Sequence, residues 1–457
     1  MGQRVGFRFI VAYVLLYTVP FPLDYLSLGR IGLWVRAGWM LIVPWVGAHV
    51  LALSHPVNLQ QSGSGDKLFD WIQVLTMLGL AAIAAGVWTA LDRGRRAYPR
   101  VLAWGRVYLR FYLTVVLYSY AFDKMFPNQF FHLDPLRLTK YVGEMSPGGY
   151  GWLFLGLSIP YEMFAGFCEF AAGTLLLFRR TETLGALFGA GVMANVFLLN
   201  MSFDVPVKLF SFHLFLFLCV LASGDARRLL NMFVFNRTVE PARRVPLIER
   251  TNRRRVAAAL ATLFVAWIVY QDVRNEWQGL HQFGILRPVP ALAGIFEVDS
   301  VAKNGVVTPG LVTDGTRWRR IAMSGFSPTQ LSAYVRMADD HLMSYGVRVD
   351  SVKHALRLLP SIPDTVFGTP AQAPYLATLI KYYGPKADSA PPKEPPPAWL
   401  PPAYRLAYAM PDHDHLVLRG RVGADSIEMR LHRQPESSYL LVRHGMFHWV
   451  NEVPFFR

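Results

Sequence analysis

The chain has 457 residues, of which 53% are hydrophobic and only 17% are charged, and its formal net charge is +15. Soluble domains carry about a quarter charged residues, so this composition excludes an ordinary soluble protein and favours lipid as the solvent. The net charge does not indicate nucleic-acid binding, because the arginines cluster in short segments between apolar runs. That distribution is typical of loops retained on the cytoplasmic side of a membrane.

Long apolar runs fill the chain up to residue 272, and the remainder has the composition of a soluble protein. A bilayer core needs about 20 apolar residues per helix. We therefore predict a polytopic α-helical membrane bundle of about eight spans in residues 1–272 and a separate domain in residues 273–457. The predicted spans lie near residues 7–23, 33–53, 69–91, 105–122, 154–178, 183–200, 207–223 and 254–270.

The arginines between the predicted spans indicate how the bundle is oriented. They separate spans three and four, five and six, and seven and eight: Arg93, Arg95, Arg96, Arg100, Arg179, Arg180, Arg227 and Arg228. These loops all fall on one side of the membrane, which the positive-inside rule makes cytoplasmic. The C-terminal domain is then periplasmic, and the basic block at residues 243–255 contacts anionic lipid head groups. Arg4 and Arg8 would face outward against the rule, which favours first two spans that are shorter or re-entrant.

The C-terminal region changes character after Trp277. Alternating polar and apolar residues predict strands at residues 318–322, 415–421, 426–432 and 438–443. Residues 326–341 are predicted to form a short helix that Ser327 and Pro328 would start. The proline-rich residues 390–402 are predicted to form a long loop or semi-rigid linker. The pattern predicts a β-rich domain, either a compact sandwich or a calycin-like barrel.

Ionisable residues inside the predicted spans are the candidate functional residues. Charge is costly in lipid unless it is paired or lines a cavity. The candidate catalytic residues are Lys124, Glu162 and Glu169, of which the two glutamates are seven residues apart and share one helical face. The candidate ligand-binding residues are Tyr120, Asp123, Gln129, Asn195, Asn200, Asp204, Lys208 and His213. Most of these polar groups are expected near the outer ends of spans four to seven, where they can converge on one pocket.

Structural roles account for the same residues equally well. The carboxylates and lysines can form ion pairs that fix the helices in register, and His213 is more often an interhelical hydrogen-bonding group than a ligand. The segment at residues 61–66 resembles a helix cap with Asp66 near a helix N-terminus, because the strand and Lys-Ser/Thr pair of a phosphate loop are missing. His413 and His415 lack a further ligand set, so no metal site is predicted.

Several stretches are similar to the DoxX-like membrane family. They are residues 118–130 (YSYAFDKMFPNQF), 173–181 (GTLLLFRRT) after Glu169, and 204–211 (DVPVKLFS) after Asn200. The similarity to the core family covers about residues 105–225, and long bacterial members with an extra outer domain also resemble the chain end at residues 447–457 (FHWVNEVPFFR). The wider group includes the small subunit of thiosulfate:quinone oxidoreductase and the membrane part of vitamin K-dependent carboxylase. The resemblance implies a quinone or isoprenoid-like ligand rather than one shared reaction.

Three functions are consistent with these features. The leading prediction is a quinone- or lipid-binding redox accessory of the bacterial inner membrane. Lys124 and Lys208 would anchor a carbonyl or anionic head group, and Glu162 or Glu169 would exchange a proton. The second is a non-enzymatic receptor or scaffold whose periplasmic domain binds a protein partner or envelope lipid. The third is a small-molecule transporter, in which Pro160 breaks the fifth span beside Glu162.

Overall fold

The computed structural model describes residues 2–60, 63–95, 97–241, 247–363, 371–384, 392, 394–422 and 424–444. Predictions that concern residues 61, 62, 96, 243–246, 390, 391, 393 and 447–457 lie outside this description. The chain divides into two compact units. The helical unit comprises Met1–Phe130, Ser146–Leu155 and Ile159–Gln278, and the second unit comprises Phe131–Met145, Gly156–Ser158 and Gly279–Arg457.

The first part of the chain folds into helices, as the apolar runs predict. They are α1 Gly2–Thr18, α2 Leu23–Leu26, α3 Arg30–His49, α4 Leu68–Leu91, α5 Pro99–Met125, α6 Pro135–Thr139, α7 Pro147–Gly156, α8 Ile159–Leu177, α9 Glu182–Ser202, α10 Lys208–Ser223, α11 Ala226–Phe233 and α12 Thr251–Gln282. By length and composition, six segments can cross a membrane: Arg4–Leu26, α3, α4, α5, α9 and α12. Two bent pairs, α7 with α8 and α10 with α11, raise the number of candidate spans to as many as eight.

The fifth predicted span is not one straight helix. α7 ends at Gly156 and α8 begins at Ile159, with a bend of 94° between their axes. Pro160 lacks a backbone N–H and is tolerated only in the first turn of a helix, so the helical run cannot continue through it unbroken. α8 alone therefore carries both Glu162 and Glu169.

α5 and α8 are antiparallel and pack closely because glycines lie at their contact. A Cβ atom on Gly166 would lie only 2.7 Å from the Ala121 carbonyl oxygen, and one on Gly173 would lie 2.9 Å from the Tyr118 ring. Small residues of this kind let helix backbones approach each other. This close packing places the polar residues of α8 directly against α5.

One end of the helical unit is held by buried arginines. Arg106 of α5 binds the carboxylates of Glu182 and Asp225, at 2.7 and 3.4 Å. Arg110 binds Glu182 at 3.3 Å and donates to the carbonyl oxygens of Leu176 and Leu177. The start of α5, the end of α8, the start of α9 and the end of α10 therefore meet here. We call this region the arginine end and the other extremity of the helical unit the opposite end.

Arg4 and Arg8 lie beside the loop between α4 and α5, and not at the other end as complete crossings by both of the first two apolar runs would require. Arg8 is buried and donates to the carbonyl oxygen of Asp92 at 2.7 Å and to the Tyr98 hydroxyl at 2.5 Å, and Arg4 donates to the Arg95 carbonyl oxygen at 3.4 Å. The loop that precedes α5 holds these acceptors, so α1 begins at the arginine end. The sequence scheme counted a complete crossing in each of the first two apolar runs, which put Arg4 and Arg8 on the other side.

The second unit contains an eight-stranded antiparallel barrel. The strands are β1 Gly294–Lys303, β2 Val306–Thr308, β3 Trp318–Ser327, β4 Gln330–Met337, β5 Leu342–Asp350, β6 Ala355–Pro360, β7 Tyr404–Ala409, β8 His415–Val422 and β9 Asp425–Gln434. Each of β3 to β9 pairs with its sequence neighbour, and β9 also pairs with β1, from Ile295↔Gln434 to Lys303↔Ile427. This pairing closes the barrel, and β2 adds to it as a short extra strand. The predicted barrel is confirmed and the sandwich alternative is wrong.

Two local predictions in this unit are also wrong. Residues 326–341 form a hairpin of β3 and β4 rather than a helix, with Ser327 paired to Gln330 and Pro328 in the turn. Alternate residues of β4 face the buried interior, which is the period of a strand. Residues 438–443 are helical, in a 3-10 turn at Glu436–Ser438 and a short helix at Leu440–His444. Pro435 ends the ladder before them, because it has no N–H to donate. A helix at Gln372–Tyr383 was not predicted.

A buried ion pair in this unit gives a prediction about pH. Arg336 is 2% exposed and binds the carboxylate of Glu144, which is 27% exposed. The hydrogen bond from Arg336 holds the pKa of Glu144 below its usual range. Because the pKa is lower in the folded state, the stabilisation is complete above the unfolded pKa of about 4.3 and is lost as the pH falls through the folded value.

We expect the free energy of unfolding of the full chain to fall between about pH 5 and pH 3, and Glu144→Gln to flatten that part of the profile. At neutral pH the same variant should lose about 2 kcal/mol, because the buried guanidinium keeps its charge without a counter-ion. Denaturant unfolding in detergent micelles at a series of pH values measures both effects. Glu394→Gln, at a side chain that is 78% exposed, is the control and should match the wild-type profile. A Glu144→Gln profile as steep as wild type would refute the assignment.

Candidate functional site

A lysine–glutamate ion pair is buried between α5 and α8. The Lys124 Nζ lies 2.9 and 2.7 Å from the two carboxylate oxygens of Glu169. The side chains are only 6% and 2% exposed. Lys124 also lies over the Tyr120 ring, 5.5 Å from its centroid, and donates to the Tyr120 carbonyl oxygen at 3.4 Å. Two of the three residues predicted to be catalytic are therefore in direct contact, with Tyr120 beside them.

Glu162, the third predicted catalytic residue, lies two helical turns before Glu169 on the same helix. Its side chain is fully buried, and its Oε1 accepts a hydrogen bond from the backbone N–H of Phe130 at 3.3 Å. Phe130 lies in the loop after α5, so Glu169 faces this helix and Glu162 faces the loop that follows it. The seven-residue spacing therefore does what the sequence predicts, and both carboxylates are turned inward.

A second carboxyl cluster adjoins the first at the end of α5. The Asp123 carboxyl group lies near enough to that of Glu276 on α12 for the two to interact electrostatically. Asn128 donates to Glu276 Oε2 at 2.8 Å and to its carbonyl oxygen at 2.9 Å. Among the described residues, the buried oxygens Asn128 Oδ1, Gln129 Oε1 and Asp272 Oδ2 have no hydrogen-bond partner.

Asp272 and Glu276 are site residues that the sequence reasoning missed. The eighth span was expected to end near residue 270, but α12 continues to Gln282. The sequence does contain a pattern that indicates a longer helix, because Asp272 and Glu276 are four residues apart and would lie on one helical face. With them, α5, α8 and α12 all contribute carboxyl groups to one region. Lys124 contributes a positively charged ammonium group to the same region.

Three of the remaining predicted residues, Asn200, Asp204 and Lys208, form separate contacts where α9 ends and α10 begins. Asn200 donates to the Ser211 hydroxyl at 3.0 Å. Lys208 pairs with Asp204 at 2.6 Å, and the Asp204 side chain is largely exposed. These contacts hold the turn between α9 and α10 and do not include Lys124 or Glu169.

His213 and Asn195 also lie apart from the buried ion pair. His213 Nε2 lies 2.6 Å from the Tyr13 hydroxyl, its Nδ1 lies 2.6 Å from the Leu209 carbonyl oxygen, and its ring stacks on Tyr17 at 4.1 Å. These are the contacts of an interhelical hydrogen-bonding group. Asn195 lies on the exposed face of α9. Neither residue touches the Lys124–Glu169 pair in the described structure.

Asp66 caps a helix, but a different one from the helix that it precedes. Its two carboxylate oxygens accept from the backbone N–H groups of Lys208 and Leu209, at 2.7 and 2.9 Å, so it caps α10. The start of α4 is instead capped by Asp70, which accepts from the N–H of Lys67 at 2.9 Å. A carboxylate at a helix N-terminus satisfies free N–H groups and opposes the helix dipole. Asp66 therefore ties the start of α4 to the start of α10.

The histidines of the second unit are engaged with neighbouring aspartates. His415 Nδ1 lies 2.9 Å from both Asp412 oxygens, and His413 Nδ1 lies 3.0 Å from Asp414 Oδ1. No group of three or more histidine, cysteine, aspartate or glutamate side chains with the placement of a metal site occurs within the described ranges. We therefore assign no metal ligands in the described part of the chain.

Comparison with known proteins gives one relative. A protein of Bacillus subtilis (strain 168), "Uncharacterized protein YwoB", is 32% identical over 126 residues, which are 27% of this chain and 79% of that protein. The chain belongs to the same family as this Bacillus protein. No protein-family model matches the chain, and no solved structure matches it either. The resemblance to the DoxX-like family therefore stays a prediction.

Proposed function

We propose that the chain is a multi-pass protein of the bacterial inner membrane that binds a quinone or isoprenoid-like lipid beside Lys124, Glu162 and Glu169. The observation that carries the proposal is the burial of this ion pair and an additional carboxylate among apolar helices. Burying ionised groups costs several kcal/mol per ion unless they are well paired. Ionisable groups at membrane depth are by default candidates for a functional site.

The chemistry of these residues suits a quinone. The Lys124 ammonium can donate to a carbonyl oxygen or an anionic head group, and a lysine is a compact charge with three donors. Glu162 and Glu169 supply proton acceptors, and the Asp123 and Glu276 carboxyl groups add further ionisable groups near Lys124. Lys208, which was predicted to share the anchoring role, pairs with Asp204 and Asp66 instead. We therefore assign the anchor to Lys124 alone. The role is that of an accessory, in which a partner redox enzyme supplies the electrons.

The same proposal includes an orientation. Arg106, Arg110 and the loops with Arg93, Arg95, Arg179 and Arg180 belong to the arginine end, and the positive-inside rule makes that end cytoplasmic. The last part of α12 lies near the end of α5, because Asn128 binds Glu276. The chain therefore leaves the helical unit at the opposite end. On this basis the barrel is periplasmic.

The proposal is tested by identifying the lipid that the full-length protein retains during purification. We expect organic extracts of protein purified in mild detergent to contain a quinone or isoprenoid lipid in near-stoichiometric amount, measured by mass spectrometry. Glu169→Gln and Lys124→Met should lose it. Asn195→Ala, on the exposed face of α9, is the matched control and should retain it. Wild-type protein without such a lipid, or equal retention by all variants, would refute the proposal.

A further inference from the structure

We infer that α3 does not cross the bilayer but lies in the leaflet at the opposite end, where its exposed apolar side chains contact lipid. The chain would then cross seven times rather than eight. This inference rests on the membrane assignment above and goes beyond it, because α3 is long and apolar enough to count as a span by composition alone. It follows from where the ends of the neighbouring helices lie.

The first step concerns α1 and α4. Arg8, near the start of α1, donates to the Thr89 hydroxyl and to the Asp92 carbonyl oxygen, both at 2.7 Å. Thr89 lies in the last turn of α4, and Asp92 follows directly after this helix. The start of α1 and the end of α4 are therefore together, at the arginine end.

The second step places the start of α4 at the opposite end. Asp66, just before α4, caps the start of α10. In addition, the N–H of Gly65 donates to the Pro206 carbonyl oxygen at 2.8 Å. α10 finishes near Asp225, which binds Arg106 at the arginine end. α10 is 16 residues long, and α4 is 24 residues or about 36 Å. Both helices therefore run from the opposite end to the arginine end.

The third step places the second half of α3 beside the start of α4. Val43 of α3 packs with Val57 and with Ile72 in the second turn of α4. The chain after α3 turns back on the helix, because the N–H of Leu53 donates to the Gly47 carbonyl oxygen at 3.0 Å. α3 therefore finishes at the opposite end.

These three steps allow one net crossing between the start of α1 and the start of α4, and we assign it to Arg4–Leu26. The segment Arg4–Leu26 begins at the arginine end and is long enough to cross once. If α3 then crossed back, its last residues would lie at the arginine end, far from Ile72. Since they pack near Ile72, α3 begins and ends in the same half of the membrane. The crossing segments are then Arg4–Leu26, α4, α5, α8, α9, α10 and α12.

The partner of α3 is the lipid itself. Leu33, Trp34 and Leu41 are 69%, 79% and 77% exposed, and Trp45 is also exposed. Tryptophan side chains favour the boundary between acyl chains and head groups. Arg30 and Arg36 can extend their charged ends to the head groups while their methylene stems remain in lipid. The seven-crossing arrangement also places Arg4 and Arg8 on the same side as the other arginine loops, so the positive-inside rule holds along the whole bundle.

Single-cysteine labelling tests the inference on the full chain. In a background with Cys168 and Cys219 replaced by alanine, cysteines are introduced by Gly6→Cys, Arg30→Cys, Arg93→Cys and Ser202→Cys, all at exposed positions. A Cβ on Gly6 meets no atom within 4 Å. A membrane-impermeant maleimide is applied to spheroplasts and to inverted vesicles. Arg93→Cys reports the arginine end, and Ser202→Cys, at the end of α9, reports the opposite end.

We expect Gly6→Cys to be labelled from the same side as Arg93→Cys, and Arg30→Cys from the same side as Ser202→Cys. A crossing α3 predicts Arg30→Cys labelled from the same side as Arg93→Cys, whether or not Arg4–Leu26 also crosses. Gly6→Cys labelled together with Ser202→Cys would overturn the inference even if Arg30→Cys were shielded by lipid. If Arg93→Cys and Ser202→Cys were labelled equally from both sides, the membrane assignment itself would fail. The two failures are thus distinguishable.

Discussion

Lys124→Met is expected to remove about 3–5 kcal/mol from the free energy of unfolding, because it leaves the buried Glu169 carboxylate without its counter-ion. Unfolding of the full-length protein by SDS in mixed micelles measures this loss. Lys208→Met is the matched control. Its ammonium is partly exposed, and its nearer partner Asp204 is largely exposed. Its farther partner Asp66, at 3.8 Å, keeps two backbone N–H donors in the variant, so this substitution should cost less than about 1 kcal/mol.

The double variant Lys124→Met/Glu169→Met separates packing from binding. A buried ion pair replaced by apolar side chains of similar volume is often neutral or stabilising. We therefore expect the double variant to regain most of the free energy that Lys124→Met loses. Retained quinone or isoprenoid lipid should be absent from the single and the double variant alike, since both lack the charged site.

The outcomes of this cycle decide between the two roles of the pair. A double variant that is stable and still retains the lipid would show that the pair fixes the helices in register only. A double variant as unstable as Lys124→Met would show that the two side chains are not energetically coupled. Stability regained together with lipid lost supports the proposed site.

The sequence predicts the helices well because lipid-compatible segments have a strong signature. α4, α9 and α10 start within one residue of the predicted spans, and the seven-residue spacing of Glu162 and Glu169 correctly predicts a shared inward face. The ion pair itself needs a further fact, the close contact of α5 with α8. That contact depends on Gly166 and Gly173, whose positions opposite Ala121 and Tyr118 cannot be read from one helix alone.

The failures arise where a local pattern has two physical meanings. Ser327 and Pro328 can start a helix or occupy a hairpin turn. They occupy a turn here because β3 and β4 pair with each other in the barrel. Glu276 looks like the polar end of a span, but Asn128 holds it in the helical unit. α3 has the length and hydropathy of a span, and only the contacts of Arg8, Asp66 and Val43 indicate that it does not cross.

Glu182→Gln is expected to cost about 3–5 kcal/mol, an effect comparable to that of Lys124→Met. Both Arg106 and Arg110 bind the Glu182 carboxylate, and the Arg110 and Glu182 side chains are almost fully buried. Without this negative charge, Arg110 loses the Glu182 carboxylate and Arg106 is left with that of Asp225. The carbonyl oxygens of Leu176 and Leu177 still accept from Arg110, but a neutral acceptor opposes less of its charge.

The measurement is again SDS-induced unfolding of the full chain, with Arg228→Gln as the control. Arg228 binds Asp225 in the same network at 2.9 Å, but its side chain is 40% exposed, so the loss should stay below about 1 kcal/mol. Added salt should leave the difference between the two variants unchanged, because buried pairs are screened far less than exposed ones. Equal losses for Glu182→Gln and Arg228→Gln, or a loss for Glu182→Gln that disappears in salt, would mean that solvent reaches this network and that it does not hold α5, α8 and α9 together.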